Sequence, residues 1–375
     1  MDKTFIFGVS VEGENFTDRT QETERIRLNF ENGVNTVLIS PRRIGKTSLV
    51  KKVCSSITAS GIKTIYMDIY DCRDEYDFYT RFATTVIRET SSRIEQALES
   101  AKEFLGRLAP AVSISPDPSH EFSISLGIKP KDIDPEIILS LPEKIAKKKG
   151  FHIVICIDEF QQIGEFPDSI IVQKHLRGVW QHQQYTSYCL FGSKKHMMEN
   201  IFQNRRMPFY MFGDTFYLKP IPTQDWIPFI QSRFASKGKN ISAELAGEIC
   251  KAVENHSSYV QQLAWNVLLQ TKDSATPQNL KDAVLELINQ CSPLFTHQTE
   301  SLTSYQMNFL KAVCSGVHSG FGNKDVTDRF GLGSKSNITR LQKSLTDKEL
   351  IDKVDGRTVI ADPVLRLWLS ALFRQ

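Results

Sequence analysis

Over roughly the first 220 residues, short apolar runs alternate with longer stretches whose apolar positions fall three and four apart. Val34 to Ile39, Thr64 to Ile69, Phe151 to Ile157, Ser187 to Phe191 and Thr215 to Leu218 are rich in β-branched and aromatic side chains and read as strands. Strands separated by helical segments predict an α/β fold, a parallel sheet covered by helices on both faces. Residues 111–128 break the pattern: AVSIS and FSISLGI alternate strictly around PDPSHE, which predicts a β-hairpin insertion with a proline-containing turn, its serines a solvated face or a partner-docking edge. From about Pro220 only helical spacing remains, in IPTQDWIPFIQSRFASKG, ISAELAGEICKAVEN, SSYVQQLAWNVLLQ and TPQNLKDAVLELINQC, with Pro277 at a helix start. A polar stretch around Ser292 to Ser301 marks a further boundary. Beyond it three helical segments lead to two strands around Asp355-Gly356, the order of a winged helix-turn-helix. The expected division is a sheet core over 1–219, a helical bundle over 220–295 and a winged helix over 296–375.

The first strand feeds SPRRIGKTSL, which follows the phosphate-binding pattern G-x-x-x-x-G-K-[ST] in all but its first position, where Ser40 stands for glycine. Serine tolerates positive φ poorly, so that position is the departure to watch. In such a loop the backbone of Ser40, Pro41, Arg42, Arg43, Ile44, Gly45, Lys46, Thr47 and Ser48 lines a concavity closed by a helix N-terminus. Lys46, expected exposed at the helix start, would meet the β- and γ-phosphates, and Thr47 would hold magnesium.

FHIVICIDEF supplies the partner motif, a buried strand ending in two carboxylates. Asp158 is the expected magnesium ligand through its water shell, and Glu159 the acceptor of a proton from attacking water. The next strand ends in Gly192-Ser193, where Ser193 could sense a γ-phosphate or cap the following helix. Arg205 and Arg206 follow that helix. From there a guanidinium could reach a neighbouring protomer's phosphate, which would imply a homo-oligomer.

Composition changes this picture little. Hydrophobic content of 41% and charged content of 24% are those of an ordinary globular chain. The net charge of +3 sits entirely in residues 297–375, where 11 Lys and Arg face 8 Asp and Glu, well short of a nucleic-acid footprint. Seven cysteines form no CxxC pair and suit small core residues of a reducing compartment. With no signal-peptide pattern and no bilayer-length apolar run, a cytoplasmic protein without membrane contact is expected.

Taken together, VEGENFTDRTQETERI, SPRRIGKTSL, IVICIDEF, FGSKKHMMENIF and the terminal IADPVLRLWL resemble the prokaryotic "archaeal ATPase" group of AAA+/STAND-like P-loop proteins. The resemblance implies ATP and magnesium as ligands, Phe16 and Arg19 near the adenine, a five-stranded core with the Walker A strand in the middle, and the bundle at 220–295 as a lid. ATP over GTP follows from the resemblance, since no N/T-K-x-D motif appears. Three functions stay open: an ATPase driving lid and winged helix between two arrangements, a slow STAND-type nucleotide switch, and a DNA-binding regulator. The third rests on Lys335, Ser336, Asn337, Thr339, Arg340 and Lys343 of the expected recognition helix, which could face DNA or a protein.

Overall fold

The computed structural model describes residues 4–9, 11, 16–57, 61–105, 112–116, 122–126 and 134–374. Two compact units divide the chain: Arg19–Lys219, and Pro220–Gln375 together with Met1–Asp18.

The first unit runs α1 (Thr20–Glu31), β1 (Thr36–Ile39), α2 (Lys46–Ser56), β2 (Ile62–Asp68), α3 (Glu75–Thr90), α4 (Ile94–Leu105), β3 (Val112–Pro116), β4 (Phe122–Leu126), α5 (Pro135–Leu139), α6 (Leu141–Lys149), β5 (His152–Asp158), α7 (Ser169–Trp180), β6 (Thr186–Gly192), α8 (Lys195–Gln203) and β7 (Asp214–Tyr217), with a short 3-10 turn over Phe160–Glu165. Five strands pair in parallel in the order β2-β5-β6-β1-β7. Alternation sorts their side chains. Ile153, Ile155 and Ile157 join Phe78, Phe82, Phe160 and Trp180 in one large core, while Cys156 and Asp158 face α2 and touch Cys54 and Thr47.

The middle strand is β6, not β1 as the resemblance implies. β6 is buried at every position, as a strand with neighbours on both sides and helices on both faces must be. β1 stands one place from the edge because β7 returns along its outer side, with Asp214 N donating to Asn35 O at 2.8 Å. The approach is so close that a Cβ on Gly213 would lie 2.2 Å from Asn35 O. β3 and β4 pair antiparallel from Val112↔Leu126 to Pro116↔Phe122, as expected of the insertion. Its turn at 117–121 and the setting of its serines lie outside what is described.

The second unit runs α9 (Thr223–Ala235), α10 (Ala243–Ala252), α11 (Ser257–Gln270), α12 (Pro277–Glu300), α13 (Ser304–Cys314), α14 (Lys324–Phe330), α15 (Lys335–Asp347), β8 (Ile351–Val354), β9 (Arg357–Ile360) and α16 (Pro363–Leu372). The N-terminal segment groups here because Phe5 buries its ring against Phe229 and Phe234, at 6.2 and 6.3 Å between centroids, and Ile6 N donates to Gln261 Oε1. α12 starts on a capping box between Thr276 and Asn279 and runs on past Ser292 to Glu300, ending within the polar stretch that marks the boundary. The reason is α16, whose Trp368 packs on Phe295 and donates Nε1–H to Ser292 Oγ at 3.0 Å. Within that stretch Ser292 is half-buried and Phe295 and Thr299 are buried, while Thr296, His297 and Gln298 are exposed. Bundle and winged helix share one core, from Trp226 and Leu263 to Phe309, Leu345 and Leu369.

In the wing, Asp355 and Gly356 hold φ of 50° and 76°, the paired left-handed geometry of a tight hairpin turn. Thr358 N donates to His318 O at 2.8 Å, which adds a rung to β9. No helix among the described residues is long and apolar enough to cross a membrane.

Candidate functional site

β1 ends at Ile39, and the chain turns through residues 40–45 into α2. Left-handed backbone occurs at Arg43 (φ 60°) and Gly45 (φ 100°). Ser40 is absent from that class: it is buried, and its hydroxyl donates to Pro41 O at 3.0 Å. The strain anticipated for serine at the first loop position therefore does not arise, because the bend is made at 43 and 45 instead. Pro41, Arg42 and Arg43 are exposed, whereas Ile44 and Ser48 are buried.

Lys46 is not the exposed residue its position suggests. It is 5% exposed, and its Nζ donates to Ser40 O and Oγ, both at 3.2 Å, and to Pro41 O at 2.9 Å. A buried ammonium needs acceptors for its protons, and the loop's own oxygens supply them. Arg19, 3% exposed at the start of α1, braces the loop: Nη2 donates to Ile44 O at 3.1 Å and Nη1 to Lys219 O and to Glu22 Oε1 at 3.1 Å. Its guanidinium is committed to the shape of the loop.

Thr47 Oγ1 donates to Asp158 Oδ2 at 2.7 Å, so the first turn of α2 meets the end of β5. The Tyr66 hydroxyl, from β2, donates to the same oxygen at 2.9 Å, and Glu159 N reaches Oδ1 at 2.9 Å. Burial pushes the Asp158 carboxyl up, with Thr47 and Tyr66 pulling against it and the neighbouring Glu159 charge adding to it. Burial, then the Asp158 charge, raises the Tyr66 phenol well above its ordinary value. Glu159 has φ 54°, which swings its side chain out of the line of β5. Its Oε2 accepts from Ser193 Oγ at 2.7 Å and from Gln161 Nε2 at 2.5 Å.

The loop, Lys46, Thr47, Asp158, Glu159 and Ser193 thus gather at the ends of β1, β5 and β6. Arg205 and Arg206 are exposed in the turn between α8 and β7, share no hydrogen bond with this cluster, and form no ion pair among the described residues. Phe16 is half-buried and belongs to the second unit. Tyr66 and Gln161 escaped the sequence reading. Tyr66 carries a faint signal, a phenol on the inward alternation of a strand, but Gln161 looks like any polar residue after a strand.

No curated protein matches the chain. Residues 16–207 match the family model described as an ATPase domain predominantly from Archaea, and residues 293–371 match that of a probable winged helix domain. Among solved structures the chain is similar to the Walker-type ATPase Paby2304 of Pyrococcus abyssi, with a TM-score of 0.71 and 15% identity over 98% of this chain and 99% of that one. It is also similar to the ORC2 protein of Aeropyrum pernix in its ADPNP-ADP complexes, with a TM-score of 0.56 and 14% identity over 97% and 98% of the two chains. Identities this low speak for the fold. The family model spans more than half of the residues, the phosphate loop and the strand ending in Asp158 and Glu159 among them, so the chain belongs to the archaeal-type AAA+ P-loop ATPase family, with a C-terminal winged helix.

Proposed function

We propose that the chain binds ATP with its phosphates on residues 40–48 and hydrolyses the terminal phosphoanhydride. The observation that carries this reading is the meeting of Thr47 Oγ1 and Asp158 Oδ2 at 2.7 Å, with Glu159 next in sequence. Thr47 and Asp158 are convergent hard oxygen donors of the kind magnesium takes, and the ion bound there would neutralise phosphate charge. The ADPNP-ADP complexes of the ORC2 protein support an adenine nucleotide as the ligand.

Each residue then has a part. Lys46 exchanges loop oxygens for β- and γ-phosphate oxygens, which carry more charge and bind its protons more strongly. The loop N–H groups and the N-terminus of α2 face the same phosphates. Glu159 takes a proton as water attacks the γ-phosphorus, and the breaking P–O bond leaves its electron pair on the β-phosphate oxygen. Ser193, hydrogen-bonded to Glu159, answers to the γ-phosphate, and Arg19 holds the loop through Ile44 O. Arg205 and Arg206 act on a neighbouring protomer in a homo-oligomer.

In this reading a P-loop core over 19–219 is followed by one body that holds the lid over 220–295 and the winged helix over 296–375. The winged helix passes nucleotide state to a DNA or protein partner. Exposed Lys335, Ser336, Thr339, Arg340 and Lys343 on one side of α15, opposite buried Ile338, Leu341 and Leu345, favour a polyanionic surface such as DNA.

Two variants test the core of the proposal. Saturating MgATP should stabilise the wild-type protein by about 2.7 kcal/mol at a hundredfold excess over Kd, read as a rise in Tm. Lys46→Met keeps the buried volume and should abolish that rise. Glu159→Gln should keep the rise and lose turnover by about a hundredfold or more. A normal shift with Lys46→Met would reject the phosphate site. Undiminished turnover with Glu159→Gln would reject the base.

A further inference from the structure

Gln161 lies in the turn just beyond β5 and is 2% exposed. Its Nε2 and the Ser193 hydroxyl donate to one and the same oxygen, Oε2 of Glu159. No donor among the described residues reaches Oε1. The carboxylate is therefore held by one oxygen and left with the other as its uncommitted acceptor.

Two further features are hard to explain if Gln161 merely fills space. The first is Gly192, at the end of β6, where an added Cβ would lie 1.8 Å from Gln161 Oε1 and 3.0 Å from its Cδ. The strand end must lack a side chain for the amide to lie across it. The second is the amide's own oxygen, which is buried without a hydrogen-bond partner among the described residues. An unpaired buried acceptor is unfavourable, and leucine or methionine would fill the same volume without it. What only the amide provides is its N–H donor, and that donor goes to Glu159.

We propose that Gln161 is a positioning residue for hydrolysis: with Ser193 it pins Oε2 of Glu159, so that Oε1 points at the water whose proton it takes. The proposal rests on the reading of Glu159 as the base. It differs from a phosphate-sensing role, because Gln161 acts through the carboxylate and touches no substrate. Glutamate at this position would supply no donor and would set a second negative charge against the first. Leucine would leave the Glu159 carboxylate with the Ser193 hydroxyl alone, free to turn about it.

The test is steady-state turnover and MgATP affinity for wild type, Glu159→Gln, Gln161→Leu and the double variant, with Tm recorded for each. A misdirected base should lower kcat about 10- to 100-fold in Gln161→Leu, with KM within about twofold. In the Glu159→Gln background the same change should move kcat less than about twofold, since no base remains to be aimed. Gly192→Ala keeps the amide but pushes it aside, and should reproduce the loss in kcat. It serves if Gln161→Leu does not fold. Equal losses in both backgrounds, or a loss shared between kcat and KM, would make Gln161 structural and overturn the proposal while leaving Glu159 as base. Wild-type turnover in Glu159→Gln, or none in the wild type, would instead remove the base and with it the proposal.

Discussion

Three thiols meet on the face of the sheet that α2 covers. Cys156 and Cys189 are register partners on β5 and β6, and Cys54 Sγ of α2 lies 3.6 Å from Cys156 Sγ. The hydrogen bond from Cys156 holds the Cys54 thiol below its usual range, whereas burial pushes Cys72 and Cys250 up to about 12 and Cys314 up to about 11. The thiolate is the nucleophile, so iodoacetamide at pH 8 should alkylate Cys54 well ahead of Cys314, which is equally half-buried. Peptide mapping of a labelling time course reads the order, and labelling of Cys314 at the rate of Cys54 would refute it. The sequence suggested small core residues, and that describes four of the seven. Which thiols touch depends on register, and no cysteine spacing encodes it. The same limit separates the legible part of the site from the rest. Lys46, Thr47, Asp158 and Glu159 stand out because loop and strand-end chemistry constrains their immediate neighbours. Gln161 acquires meaning only from Gly192 on another strand, and Lys46 is buried by oxygens of its own loop rather than exposed as a helix start suggests.

At the scale of elements, each of the five sheet strands was readable from its apolar run, within a residue or two at either end. Their order was not. Apolar content reports burial, and β1 and β6 are both fully buried, so nothing in their composition says which is central. What sets the order is where β7 docks, and the local sign of that is a single glycine. Gly213→Ala would drive a Cβ against the rigid backbone of Asn35, and should destabilise the protein by about 1–3 kcal/mol. Gly178, exposed within α7 with nothing within 4 Å of an added Cβ, supplies the contrast: Gly178→Ala should stabilise by about 0.5–1 kcal/mol. Urea unfolding midpoints at constant m-value measure both. Equal shifts for the two variants would mean that the close approach at Gly213 relaxes without cost. α12 shows a different limit: the polar stretch marks where the winged-helix match begins, at residue 293, but not that the helix runs on to Glu300 with one face turned to α16. Only the packing of α16 makes that face visible.

At the scale of the whole molecule, the bundle and the winged helix are one body. Beyond their common core, Tyr259 OH donates to Asp362 Oδ2 at 2.6 Å, and Arg366 pairs with Glu254 at 2.7 Å. Any motion of the bundle would carry α15 with it. The same coupling dictates how DNA binding must be tested, since a fragment starting near residue 297 would strip α16 of its seat on α12. The full chain is the right material. α15 and the wing offer Lys335, Arg340, Lys343 and Arg357, all exposed. Four cations displace few counterions, so duplex affinity should fall with salt along a log-log slope of about −2 to −4. Replacing Lys335, Arg340 and Lys343 together by alanine should flatten that slope by about one for each phosphate left without its cation. Fluorescence anisotropy with MgATP over a salt series gives both numbers. A slope unchanged in the triple variant would move the DNA-binding face to another surface. No binding even at low salt would leave α15 facing a protein partner, whose acidic character the same three cations would select.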